Sequence, residues 1–349
     1  MIAARFRPDV AQVVVIAFLA VMIGAAIALG LPVAGLLGDT LLRVAMNGVL
    51  VLSLVPMLRA GLGMNYGMPL SVLPGLLGMV VALEMRLTGP LGLAAALALA
   101  VLFAIPVGAA YGALLRGVRG NEEVVGTFSG FSAVYLGAIF WGVAPFTNPK
   151  MLWPIGGQGL RPQTNLAQWF GHVLDRLGEF AVLGVRVPTG TLLAVGLVAA
   201  LVALGCRSRW GVVTAVAADN PVFARAAGVP LGRLQIAAAV LSTVIAAVGI
   251  TLYAHTYGFL QLYSAPLMLA FPAAASILIG GSGADGRFNV SSALLGTLLF
   301  STILVFSTPL ANALLVPELS DVVRVLITNG VLLYAMIRGS RSARAKAAR

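Results

Sequence analysis

The chain has 349 residues, of which 60% are hydrophobic and only 9% charged, with a mean hydropathy of +1.01. Soluble globular proteins carry about 25% charged residues, so the composition excludes a soluble enzyme, and the high apolar content excludes disorder. The formal charge of +11 comes from 22 Lys+Arg against 11 Asp+Glu, and it does not point to nucleic acid, because the basic residues sit between apolar runs and at the chain ends, where charges orient membrane spans.

A helix needs about 20 mostly apolar residues to cross the hydrocarbon core. The first such run, Val13 to Leu31, follows Arg5 and Arg7. It is long for the core of a signal peptide and similar runs follow it, so it reads as a span. Further spans are expected at 44–58, 63–83, 91–115, 124–146, 188–206, 234–256, 264–281, 289–308 and 322–338. Pro56, Pro69 and Pro74 interrupt the second and third, which points to a broken or re-entrant segment there. The expected fold is all-α: a polytopic integral membrane protein of about ten transmembrane helices, forming one transmembrane domain over 1–349. With the N-terminus inside, fifteen of the 22 basic residues fall on the inner side and seven on the outer. The positive-inside rule therefore favours N-in, C-in. The 41 glycines suit close helix packing in a bilayer.

Two stretches leave the membrane. The outer one, 147–187, opens with prolines and glycines and continues as NLAQWFGHVLDRLGEF. Leu166, Trp169, Phe170, Val173, Leu174 and Leu177 recur there at helical spacing, which predicts a short helix lying at the interface. The inner one, 207–233, contains DNPVFARAAGVP. Asn220 is a good N-cap, Pro221 suits the first helical position, and Gly228 can take the left-handed conformation that stops a helix. A helix of about seven residues is expected between them, far too short to span. Val222, Phe223 and Ala226 make it partly apolar and Arg225 adds a charge. From capping chemistry alone, a docking helix and a plain connecting turn both fit.

The run AVAADNPVFARAAGVPLGRLQIAAAVLSTVIAAVGITL resembles the cytoplasmic loop and following helix of ABC importer permeases for branched-chain amino acids, simple sugars and nucleosides. Those proteins share a Gly/Ala-x-Asn-Pro-x-x-Ala-Arg-x-x-Gly pattern, matched here by Asn220, Pro221, Ala224, Arg225 and Gly228. The segment with Gly61, Asn65, Gly67 and Gly78 resembles the family's early Gly-x-x-x-Asn-x-Gly stretch, although Met68 and Pro69 depart from its usual continuation. The stretch from Leu269 to Leu299 resembles its late Gly-Gly turn and small-residue helix. Together the resemblance covers about 61–338. It implies that 207–233 is a coupling loop, with Asp219, Asn220, Pro221, Phe223, Arg225 and Gly228 meeting a cytoplasmic ATP-binding subunit. It also implies a second permease, identical or homologous, and an extracytoplasmic solute-binding protein, in the inner membrane of a bacterium. The chain would bind no cofactor, ATP and Mg being held by the partner, and it would catalyse no reaction.

The sequence carries no Gly-x-x-x-x-Gly-Lys-Ser/Thr loop. The run 280–286 lacks its lysine and reads as a tight turn between helices. The single Cys206 excludes an internal disulfide, and His172 and His255 are too few for a histidine-rich metal site. Arg43, Glu84, Arg86 and Arg324 all fall near expected span ends, where long side chains reach water. The absence of mid-membrane carboxylates argues against an ion-coupled transporter, and no His/Asp/Glu cluster suggests a membrane enzyme. Candidate residues for a translocation path are neutral: Asn47, Asn65, Phe128, Ser129, Ser132, Ser276 and Asn329. Each could instead pack or bond within its own helix. A neutral path favours a simple sugar or nucleoside as cargo, with branched-chain amino acids as the alternative.

Overall fold

The computed structural model describes residues 10–118, 120–154, 159–175, 178, 180–182, 184–281 and 288–314, with 322, 325, 326, 329, 330 and 333. The expected last span, the turn over 282–286 and Leu177 therefore lie outside the described residues or nearly so. Among the described residues, six helices are long and apolar enough to cross a membrane: Val33–Arg59, Gly89–Gly117, Glu122–Val143, Thr189–Arg207, Leu231–Tyr257 and Val290–Leu314. Three shorter apolar helices accompany them, Gln12–Ala28, Met68–Glu84 and Ala265–Gly280.

The chain opens with α1 (Val10–Ala28) and α2 (Val33–Leu52), which runs on through Ser53 into α3 (Leu54–Arg59). The second span thus begins at Val33 and not at residue 44. Gly35, Gly38, Asp39, Thr40 and Arg43 dilute the apolar signal of its first half, but that half is helical all the same. α4 (Met68–Glu84), α5 (Gly89–Gly117) and α6 (Glu122–Val143) follow. α7 (Thr189–Arg207), α8 (Arg209–Asp219), α9 (Pro221–Ala226) and α10 (Leu231–Tyr257) come next, then α11 (Ala270–Gly280) and α12 (Val290–Leu314).

The centre is α10, packed against α5, α4 and α2. Its contact face is built from small residues: Ala239, Ala246 and Ala247 of α10 and Ala96, Ala100 and Ala104 of α5 are fully buried. Lipid tails are as apolar as these side chains, so close approach and dispersion hold such helices together. The outward faces are apolar too, with Leu193, Leu197, Leu201 and Leu204 of α7 all exposed, as a bilayer requires. Between α3 and α4 the backbone is irregular over 60–67, yet Leu62, Met64, Asn65, Tyr66 and Gly67 are buried. Non-helical backbone at this depth is tolerated only when protein covers it, so the expected break is real and enclosed.

The segment 147–187 does not fold as the expected interfacial helix. Residues 167–175 form consecutive turns. The apolar residues are drawn inward: Leu166 and Phe170 are fully buried, and Trp169, Val173 and Leu174 pack on the same core. The backbone donors explain the loss of helix. His172 N–H donates to the His255 carbonyl at 3.1 Å, Leu174 N–H donates to His255 Nε2 at 3.0 Å, and His172 itself has a left-handed φ of 59°. Donors spent on α10 cannot build an i to i−4 ladder. Short strands complete the layer. β1 (Gln163–Asn165) pairs antiparallel with β4 (Phe259–Gln261), and β2 (Phe180–Val182) with β3 (Val185–Val187). Glu84, at the end of α4, anchors the start of the segment by accepting from Thr147 N–H at 2.9 Å and Asn148 N–H at 3.1 Å.

Candidate functional site

Three features stand out, and α10 relates them. This helix is about 40 Å long at 1.5 Å per residue. α9 adjoins its first residue, and β4 and the layer of 147–187 adjoin its last.

At the first end lies the capped helix. Asn220 Oδ1 accepts from Phe223 N–H at 3.0 Å, Pro221 occupies the first turn, and Gly228 has φ +74°. The expected caps are all present. α8, hidden within what reads as loop, is capped in its turn by Ser208, whose Oγ accepts from Gly211 N–H at 3.2 Å. Only Ala224 of α9 faces inward, 3% exposed, against Ala217 of α8 and Leu231 of α10. Val222 is 76% and Phe223 63% exposed, and Arg225 is exposed beside them. A rigid knob therefore displays two large apolar side chains and a cation. Asp219 ends α8 immediately before it.

In the middle lies a buried polar knot around Asn65, which is 1% exposed. Its Oδ1 accepts from Tyr111 Oη at 3.0 Å, and its Nδ2 donates to Ser242 Oγ at 3.1 Å and Ser71 Oγ at 3.3 Å. Ser242 Oγ in turn donates to the Ser53 carbonyl at 2.7 Å, freed where α2 passes into α3. Met64 N–H donates to Glu123 Oε1 at 3.0 Å. The irregular 60–67 segment is thereby tied to α4, α5, α6 and α10. Asn65 thus ties the helices together. Asn65→Ala should lower stability by about 2 kcal/mol, because it strands the Tyr111 hydroxyl in a dry site, while Ser242 keeps its bond to the Ser53 carbonyl. Tyr111→Phe should cost only about 1 kcal/mol. Thermal melting of the purified full chain in detergent would order the two.

Toward the other end lies a cavity of about 340 Å³. Its polar lining is Arg43, Asn47, Tyr253, Gln261, Ser276 and Ser301, and the rest is mainly apolar. Two expected path residues, Asn47 and Ser276, meet here. Each bonds to its own helix: one N–H of Asn47 Nδ2 donates to the Arg43 carbonyl at 3.0 Å and Ser276 Oγ donates to the Pro272 carbonyl at 2.8 Å. Tyr263, between β4 and α11, has its phenol pushed up by burial and donates to the Leu160 carbonyl at 2.9 Å, tying the outer layer above the cavity.

Phe128, Ser129 and Ser132 do not line this cavity. α6 turns Gly126, Gly130, Val134 and Trp141 inward. Two residues are about 200° around a helix, so Phe128 is 66% exposed and Ser132 is exposed on the opposite face. Asn329 is helical and exposed. Reading Arg43 as a span-end residue is corrected by the longer α2, which places it about 15 Å along the helix from Val33. Its place beside the cavity was missed because the weakly apolar half-helix before it does not look like membrane.

Among the described residues no group of three or more His, Cys, Asp or Glu is arranged to hold a metal. No curated protein and no solved structure matches the chain. The family described as "Branched-chain amino acid transport system / permease component" matches residues 36–332.

Proposed function

The chain belongs to the branched-chain amino acid transport permease family, and on that footing we propose that it is the membrane subunit of an ATP-driven importer in a bacterial inner membrane. It would cross the bilayer about ten times, with both termini in the cytoplasm. Its partners would be a cytoplasmic ATP-binding subunit holding ATP and Mg, a second permease, and an extracytoplasmic binding protein that delivers a small solute. The observation that carries this reading is α9: a six-residue helix, capped at both ends, whose Val222 and Phe223 point away from the core. ATP binding would draw the ATPases together, and α9 would pass that movement through α8 to the bundle. The positive-inside charge bias supports a cytoplasmic α9, and the cavity, toward the far end of α10, would then lie in the extracytoplasmic half, where a binding protein would dock.

The test is solute uptake into proteoliposomes holding the chain with its ATPase and binding protein. Uptake should require ATP inside the compartment that faces α9 and should persist when proton and sodium gradients are collapsed. Gradient-driven uptake by this chain alone, without an ATPase, would instead show a secondary transporter.

A further inference from the structure

The cavity beneath the β1–β4 layer has an unbalanced lining. Arg43 is its one cation, and no Asp, Glu or His lines it. Asp39, one turn back on α2, is exposed and forms no ion pair with Arg43. The other polar donors are uncharged, and one N–H of Asn47 and the hydroxyl of Ser276 are already bonded within their own helices. The guanidinium is therefore the dominant free recognition group, set in an otherwise largely apolar space of about 340 Å³. That volume is at the small end of the range for ligand pockets.

We propose that this cavity is a transit site for a small carboxylate-bearing solute with an apolar body and no cationic group, and that Arg43 selects it. Arginine presents a planar fork that matches a carboxylate in two parallel hydrogen bonds. A neutral sugar would leave that charge unmatched while placing hydroxyls against aliphatic walls. A zwitterionic amino acid would satisfy Arg43 but would bring an ammonium to a lining without a carboxylate. The inference rests on the reading of the chain as a solute permease, and it reverses the preference for sugars or nucleosides that a charge-free path suggested.

Three matched probes separate these classes: isovalerate, L-valine, which adds only an α-ammonium to the same branched body, and D-ribose. Equilibrium binding of each radiolabelled probe is measured on the full chain in nanodiscs. Isovalerate should bind at least about tenfold tighter than either of the others. Arg43→Gln should abolish that preference, and Arg43→Lys should keep part of it, with thermal melting confirming that both variants fold. Valine or ribose binding as tightly as isovalerate, no isovalerate binding at all, or unchanged isovalerate binding in Arg43→Gln would each overturn the proposal. The ranking of probes on the unmodified chain stands even if a variant fails to fold. ATP-driven uptake in the assembled transporter is scored separately, so an ATP-dependent permease without carboxylate preference would defeat this inference alone.

Discussion

Gly296→Leu should leave no folded protein. A Cβ placed on Gly296 would lie 1.8 Å from the Ser276 carbonyl oxygen, and one on Gly280 would lie 1.8 Å from that of Ser292. In each case the obstacle is backbone, so no rotamer change relieves it. α11 and α12 meet at this crossing with their main chains in contact, and any side chain must push them apart by more than an ångström. Overpacking a core with soft neighbours costs about 1–3 kcal/mol; here even Gly296→Ala should exceed about 3 kcal/mol. The same corner holds α1, because Gln12 Nε2 donates to the Gly280 carbonyl. It also holds the cavity, because Ser276 sits one turn before Gly280 on α11. The control is Gly196→Leu. Gly196 lies on α7 with nothing within 4 Å of its would-be Cβ, and that substitution should leave stability within about 1 kcal/mol of the starting chain. Size-exclusion profiles and melting curves of detergent-solubilised protein read both outcomes. A monodisperse Gly296→Leu would show that α11 and α12 do not cross as described.

Where the apolar signal was strong, the sequence located helices closely. Runs at 91–115, 188–206 and 234–256 correspond to α5, α7 and α10, because their boundaries are set by glycine, proline and arginine as much as by hydropathy. The caps of α9 were equally legible, since Asn-Pro and a following Gly are local chemistry that needs no tertiary partner. What failed was information held by distant residues. The 167–175 segment has helical spacing, yet its donors and its apolar face go to His255 and the core. The first half of α2 is too polar to read as a span, yet it is helical and carries Arg43 to the cavity. The alternation in Phe128–Ser132 suggested a lined path, but nothing in the sequence said which face of α6 meets α4. Site residues were thus readable where backbone geometry defines them, and unreadable where they depend on which helix covers which.

Phe223→Asp should uncouple transport while leaving the permease intact. Phe223 is 63% exposed and Ala224 alone of its helix is buried, so the substitution leaves the buried core unchanged, and the melting temperature should stay within a few degrees. If the proposed ATPase contact is right, Phe223 is its aromatic anchor, and truncating or charging such an anchor costs about 2–4 kcal/mol of association, or at least about 30-fold in affinity. Solute-stimulated ATP hydrolysis and uptake should fall together by that factor. Arg225→Glu should weaken assembly less and in a salt-dependent way, because an exposed rim charge acts mainly on encounter. Asn220→Ala should loosen the helix by about 1 kcal/mol through loss of its cap, giving a partial defect between the two. The order Phe223→Asp, then Asn220→Ala and Arg225→Glu, distinguishes a docked helix from a connecting turn. A turn tolerates all three alike, and full ATPase stimulation in Phe223→Asp would remove α9 from the coupling path.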